Sequence, residues 1–254
     1  MTISNNEAKR IKSLSMKKYR DQLGLFVVEG EKIVAEAQSS SFKVESIYKR
    51  EDIGEEAMKK ISQQNTPSPI LAVVQKPKDL LLQDKGSIAQ VFAKRGQKGL
   101  YLALDSMRDP GNLGTVIRIA DWFGIDTIFA SQDTVDFFNS KTVQATMGAI
   151  FRVKFHSCNL VELCEYIKEV KGNIYGTFLD GDNMYEKELS NGNSTPSLII
   201  IGNESEGISD EIGRLVTDRL YIPPYPQDES GSESLNAAIA TAITVAEFRR
   251  QNKL

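Results

Sequence analysis

Leu100-Tyr-Leu-Ala-Leu-Asp-Ser-Met-Arg-Asp-Pro-Gly-Asn-Leu-Gly-Thr-Val-Ile-Arg118 is the stretch from which the rest of the chain is best read. Leu100 to Leu104 is a short apolar run of strand length. Pro110-Gly111 turns the chain, and Asn112 is suited to cap a helix that continues to Phe123. Leu113, Val116, Ile117 and Ala120 recur at helical spacing, whereas Arg118 falls off that face beside Thr115 and Asp121. Alone, this unit reads as a strand, a turn and a capped helix with one surface arginine.

Downstream the alternation continues. Asp126 to Ala130 is a strand, and Lys141 to Ala149 and Leu160 to Lys171 are helices. Ile174 to Leu179, Leu198 to Ile201 and Leu220 to Ile222 are strands. Asp210 to Val216 is a short helix, and a long alanine-rich helix covers Glu233 to Arg250. Strands separated by helices predict an α/β fold with a mostly parallel sheet covered on both faces. Ligands of such sheets sit at the carboxyl ends of the strands.

Upstream, Phe26 to Val28, Val44 to Tyr48 and Ile70 to Val74 read as strands. Helices are expected over Gly30 to Gln38, Asp52 to Gln63 and Lys85 to Lys94. The polar stretch Lys94 to Gly99 is the best linker. The expected organisation is a basic arm over 1–20, a small α/β domain over 21–97 and a larger domain over 98–254.

The formal net charge is −3, which argues against a uniformly basic nucleic-acid binder, but the charge is unevenly spread. Residues 1–20 hold six basic side chains against Glu7, an excess suited to phosphate contacts or, equally, to a solvated terminus. No apolar run reaches the ~18–20 residues needed to span a bilayer, and the basic N-terminus has no apolar core of a signal peptide. Cys158 and Cys164 match no metal spacing, so neither a metal nor a membrane is expected, and the cytoplasm is the expected compartment. The sequence identifies no Ser, Cys or carboxylate to act with His156, and Trp122 and Phe123 read as core. No dinucleotide G-x-G-x-x-G loop or phosphate-binding G-x-x-x-x-G-K-[ST] loop occurs.

Two more loops stand out. Ile201-Gly-Asn-Glu-Ser-Glu-Gly207 packs glycines and carboxylates into a turn after a wholly apolar strand, where glycine permits close backbone approach. Ile222-Pro-Pro-Tyr-Pro-Gln-Asp-Glu-Ser-Gly-Ser-Glu-Ser-Leu-Asn236 ends a strand in prolines and opens the last helix, which Ser232 or Ser234 could cap.

In this order, Pro110-Gly-Asn-Leu-Gly-Thr-Val-Ile-Arg-Ile-Ala-Asp121, Ile200-Ile-Gly-Asn-Glu-Ser-Glu-Gly-Ile-Ser209 and Ser234-Leu-Asn-Ala-Ala-Ile-Ala240 resemble the three signature motifs of the SpoU/TrmH RNA ribose 2′-O-methyltransferases. Lys141-Thr-Val-Gln-Ala-Thr-Met-Gly-Ala-Ile-Phe-Arg152 also looks like that family. Tyr19-Arg-Asp-Gln-Leu-Gly-Leu-Phe-Val-Val-Glu-Gly30 and Ile70-Leu-Ala-Val-Val74 look like the substrate-binding domain that many members carry, which is similar to ribosomal protein L30.

The resemblance implies a deep trefoil knot, a homodimer with sites completed across its interface, an RNA substrate and S-adenosylmethionine as methyl donor. Cofactor contacts are implied at Gly202, Asn203, Ile222 and Leu235, with Thr177 and Phe178 nearby. Arg118 is implied to remove the ribose proton. An arginine, with a side-chain pKa above ~12, is normally too basic for that, so its role is activation by a nearby phosphate or an electrostatic one. Asn112, Glu204, Ser234 and Asn236 are implied to position Arg118, the ribose and the loops; Glu204, if buried, would instead accept backbone N–H groups. Two departures stand out: a longer link from Tyr225 to Gly231, with Pro224 where methionine is usual, and Ser205 where glycine is common. The L30-like extension favours ribosomal RNA; transfer RNA, or a catalytically silent RNA-binding or ribosome-assembly role, are the alternatives.

Overall fold

A computed structural model describes residues 3–78, 80–94, 98–189, 194–225 and 234–251. The N-terminal part contains α1 (Asn5–Ser13), α2 (Lys17–Leu23), β1 (Leu25–Glu29), α3 (Glu31–Ser39), β2 (Val44–Lys49), α4 (Arg50–Ile53), α5 (Glu55–Ile61) and β3 (Ile70–Gln75). Strand β3 lies between β1 and β2 and is antiparallel to both. Alternate residues of these strands face opposite sides. Val27, Leu71 and Val73 pack with Ile11, Leu14, Met58 and Ile61, while Phe26, Val28, Ala72 and Val74 join the main core of the larger domain.

Residues 5–23 are therefore not a free basic arm. Ala8, Ile11 and Leu14 supply a helical apolar stripe beneath the charges, and that stripe docks α1 on the small sheet. Arg10 pairs with Glu7 and Glu45 at 2.8 Å, and Lys12 donates to the Ser62 carbonyl. Arg20 is buried and donates to Asp136 at 2.7 and 2.9 Å and to the Leu14 and Ser15 carbonyls. Gly54, at φ +84°, splits the helix expected over 52–63 into α4 and α5.

The larger domain comprises α6 (Lys85–Ala93), β4 (Leu100–Leu104), α7 (Pro110–Trp122), β5 (Thr127–Ala130), α8 (Ser140–Ala145), β6 (Lys154–Ser157), α9 (Leu160–Glu169), β7 (Asn173–Asn183), β8 (Ser197–Ile201), α10 (Asp210–Gly213), β9 (Asp218–Tyr221) and α11 (Ala237–Gln251). Its six strands run parallel in the order β6-β5-β4-β8-β7-β9. Helices α7, α8 and α11 cover one face, and α6, α9 and α10 the other.

Helix α6 was expected to close the small domain. Instead Ile88 and Phe92 fill the second face of the large sheet, with the Phe92 ring 4.6 Å from Tyr101 and 5.4 Å from Phe129. The boundary thus lies before α6, near Leu81, which bridges to Ser157; of the expected linker, residues 95–97 lie outside the described residues. Strand β6, four residues long, was not anticipated, because the turn at Met147 (φ +51°) and Gly148 (φ +97°) ends α8 early. No helix among the described residues is long and apolar enough to cross a membrane.

Candidate active site

Strands β4, β8, β7 and β9 are neighbours, so the loops at their carboxyl ends leave from one edge of the sheet. The loops after β4, β8 and β9 begin at Asp105, Gly202 and Ile222, and Thr177 lies within β7, where its pairing with β9 shifts register between Thr177 and Asp182. The strand order alone thus gathers three of the sequence-marked turns.

The turn after β4 is held rigidly. Asp109 caps α7, accepting from the Asn112 N–H at 2.7 Å, with Pro110 in the first helical turn. Asn112 is therefore not the cap, as expected from sequence, and its side chain is free to act elsewhere. Its Nδ2 donates to Glu204 at 3.0 Å, and its Oδ1 accepts from Asn236 Nδ2 at 2.9 Å. Asn236, rather than Ser234, caps α11 by accepting from the Ala238 and Ile239 N–H groups. All three motifs meet in this one line of side chains.

The partly buried Glu204 also accepts from the backbone N–H groups of Arg108 and Asp109, both at 3.4 Å. These contacts place its carboxylate at the start of α7, where helix N–H groups favour negative charge. Asn203 shapes the turn: Oδ1 accepts from the Ser205 and Glu206 N–H groups, and Nδ2 donates to the Ser106 carbonyl at 2.7 Å. Asn203 and Gly207 also exchange backbone hydrogen bonds at 2.8 and 3.0 Å. The turn folds so tightly that a Cβ on Gly202 would stand 2.2 Å from the Gly207 carbonyl carbon and 2.3 Å from the Ile208 nitrogen.

Four residues of this edge, Asp105, Ser106, Ser131 and Asp133, were not singled out from the sequence. Ser106 adopts φ +57°; its N–H donates to Ser131 and its hydroxyl to Asp133 at 2.6 Å. The Ser106 hydroxyl, then Ser131, holds the Asp133 carboxyl below its ordinary pKa. Asp105 is buried and accepts from the Ser209 N–H at 2.8 Å, tying the first and second loops together. The visible signal was a small polar run directly after an apolar strand, at the edge where such sheets bind ligands.

Arg118 is exposed, with no hydrogen bond or ion pair to any described residue. It shares the outer face of α7 with Thr115 and with Trp122, which is 84% exposed rather than core. Ser234 is exposed and Leu235 half-exposed at the mouth of the third loop. Ile222 packs on the main core, whereas the Phe178 ring turns into the second core, with the Arg219 guanidinium 3.4 Å from its centroid. From residue 226 to 233, the lengthened link and Ser232 lie outside the described residues.

The donor set suits an organic cofactor. It offers backbone groups at the ends of neighbouring strands, an apolar flank at Ile222 and Leu235, and a tightly folded glycine turn. Among the described residues no group of His, Cys, Asp and Glu side chains could hold a metal ion. A surface groove of about 640 Å³, lined by Asp21, Leu25, Lys76 and Leu81 among others, shares no residue with these loops.

Comparison with known proteins matches this geometry. Residues 99–246 match the SpoU rRNA Methylase family, and residues 5–72 match the MRM3-like substrate binding domain. The 23S rRNA (guanosine(2553)-2′-O)-methyltransferase RlmP of Bacillus subtilis is 30% identical over 260 residues, covering 96% of each chain. A TrmH-family structure from Porphyromonas gingivalis superposes with a TM-score of 0.83 at 35% identity, covering 99% of this chain and 100% of that one. An AdoMet-bound rRNA methyltransferase from Sinorhizobium meliloti gives a TM-score of 0.83 at 28% identity, covering 98% and 97%. With three motifs converging on one sheet edge and more than half its length matched, the chain belongs to the SpoU rRNA methylase family.

Proposed function

We propose that this chain transfers a methyl group from S-adenosylmethionine to a ribose 2′-hydroxyl of ribosomal RNA. The observation that carries this reading is the hydrogen-bonded line Glu204–Asn112–Asn236, which draws the three motif loops together. The substrate-binding domain at residues 5–72 favours ribosomal over transfer RNA.

When bound, the cofactor supplies an electrophilic methyl on a sulfonium. Gly202, Asn203, Thr177 and Phe178 would hold it through backbone groups, and Ile222 and Leu235 through apolar contact. The Phe178 ring is already engaged within the fold, which leaves its backbone for this task, whereas the Asn203 N–H and carbonyl are paired with Gly207 and only the carbonyl's second lone pair is left. Arg118 acts on the ribose, either by accepting the 2′-hydroxyl proton or by stabilising the charge that develops on oxygen. A second-row role falls to Asn112, Glu204 and Asn236, which fix the loops around the reacting atoms, with Ser234 at the ribose side. The knotted path is part of this proposal.

The working form is a homodimer in the cytoplasm. Trp122, Ile239 and Leu235 expose large apolar surface on or beside the packed pair α7 and α11. Arg118 lies one turn from Trp122, so a second copy covering that tryptophan would border the site. The test is incubation with methyl-tritiated cofactor and ribosomal RNA, followed by digestion to nucleosides. Label eluting as a 2′-O-methyl nucleoside is expected; label in transfer RNA alone would move the substrate, and label on a base would refute the reaction.

A further inference from the structure

The stretch Lys141–Arg152, which the methyl-transfer chemistry leaves unused, forms a seam between the substrate-binding part and the larger domain. Gln144 Nε2 donates to the Glu29 carbonyl, at the end of β1, at 2.9 Å. Gly148 sits so close beneath Glu36 of α3 that a Cβ there would stand 2.9 Å from the Glu36 Cγ. The Phe151 ring lies 5.1 Å from Phe42 and 6.4 Å from Phe26. Each of these contacts reaches from the same short segment into the N-terminal part.

Arg152 ends the seam. Its Nε and Nη2 hold Asp121 at 2.9–3.0 Å, engaging both carboxylate oxygens, while its Nη1 pairs with Glu36. Asp121 stands three residues beyond Arg118 on α7, one helical turn away. One guanidinium thus touches both the helix that carries Arg118 and the first helix after β1. The side chains of Arg152, Glu36 and Asp121 are 44%, 32% and 26% exposed, where ion pairs add little to stability. What a planar, forked guanidinium adds here is fixed geometry, which an ammonium cannot reproduce.

We infer that Arg152 is a positioning residue that sets the register between the RNA-binding part and α7, so that RNA held on the first presents its ribose to Arg118. The inference rests on the methyl-transfer reading above for its catalytic consequence, but not for the register itself. Orientation errors of about 1 Å remote from the chemistry can cost up to about a hundredfold in rate.

The test uses the full chain with Arg152→Gln, Glu36→Gln, the double variant and Arg152→Lys. Each single Gln variant should lower kcat about tenfold with ribosomal RNA. The KM for RNA, the Kd for S-adenosylmethionine and the thermal midpoint should stay close to wild type. The double variant should be no worse than either single one, because both remove the same link, and Arg152→Lys should recover only part of the loss. A second readout needs no activity: spin labels at Lys60→Cys and Lys168→Cys, both exposed, should show a broadened distance distribution when Arg152→Gln is added. Unchanged kcat with an unchanged distance distribution overturns the inference, as does a kcat loss that only follows a loss of folded protein. Wild-type protein that methylates no RNA would refute the functional reading, and the label distances would still judge the register.

Discussion

Asn112 Nδ2 donates to the Glu204 carboxylate at 3.0 Å, joining two turns 92 residues apart in the chain. The other side of the same amide is occupied by Asn236, so no rotation can replace either bond. Asn112→Ala deprives the half-buried Glu204 of a donor, while the exposed Asn236 can turn to water, at a cost of about 1 kcal/mol. Methyl transfer should fall more than tenfold and the thermal midpoint by several degrees. Asn112→Asp should be worse than alanine, because it sets a second carboxylate against Glu204; equal activity of Asn112→Asp and wild type in a tritium-transfer assay would break this assignment.

Gly202 and Gly207 close the same turn but fail differently when replaced. At Gly202 an added Cβ collides with backbone at 2.2 Å, so Gly202→Ala must open the loop. Calorimetry should show loss of S-adenosylmethionine binding. At Gly207 the space is open and only the left-handed φ of +71° resists a side chain. Gly207→Ala should therefore cost about 1–2 kcal/mol of stability and retain binding. The reverse ranking would contradict the loop geometry.

Trp122 was expected in the core on apolarity alone, yet it ends α7 on the outward face, with Arg118 one turn before it. In sedimentation, wild-type protein should run at twice the chain mass and Trp122→Glu as a monomer at micromolar concentration. A wild-type monomer would remove the interface from the account.

Cys158 and Cys164 are buried, and burial pushes both thiols up to about 12. Because burial raises the pKa, the reactive thiolate becomes scarcer, about one part in ten thousand at pH 8. Ellman's reagent should find no reactive thiol in the native protein and two after denaturation. Rapid reaction of the folded protein would contradict this packing.

The motif order made the meeting of Asn112, Glu204 and Asn236 legible, because the strand order puts their loops on one edge. Their local roles were not legible. Asp109 takes the cap expected of Asn112, since Pro110 fills the first helical position, and Asn236 takes the one expected of Ser232 or Ser234. At the N-terminus, charge hid the apolar spacing of Ala8, Ile11 and Leu14, so a docked helix read as an arm. Helix α6 could not be assigned to either sheet from its own pattern; only the empty face beside Tyr101 and Phe129 decides where Phe92 goes. Arg118 remains the residue whose role rests least on contacts within its own chain.

The most direct measurement is therefore methyl transfer to ribosomal RNA by Arg118→Ala beside its binding of S-adenosylmethionine. Nucleoside analysis should show 2′-O-methyl product with wild type and none with the variant, while calorimetry shows the cofactor bound almost as tightly by both. Undiminished 2′-O-methyl product from Arg118→Ala would contradict the account.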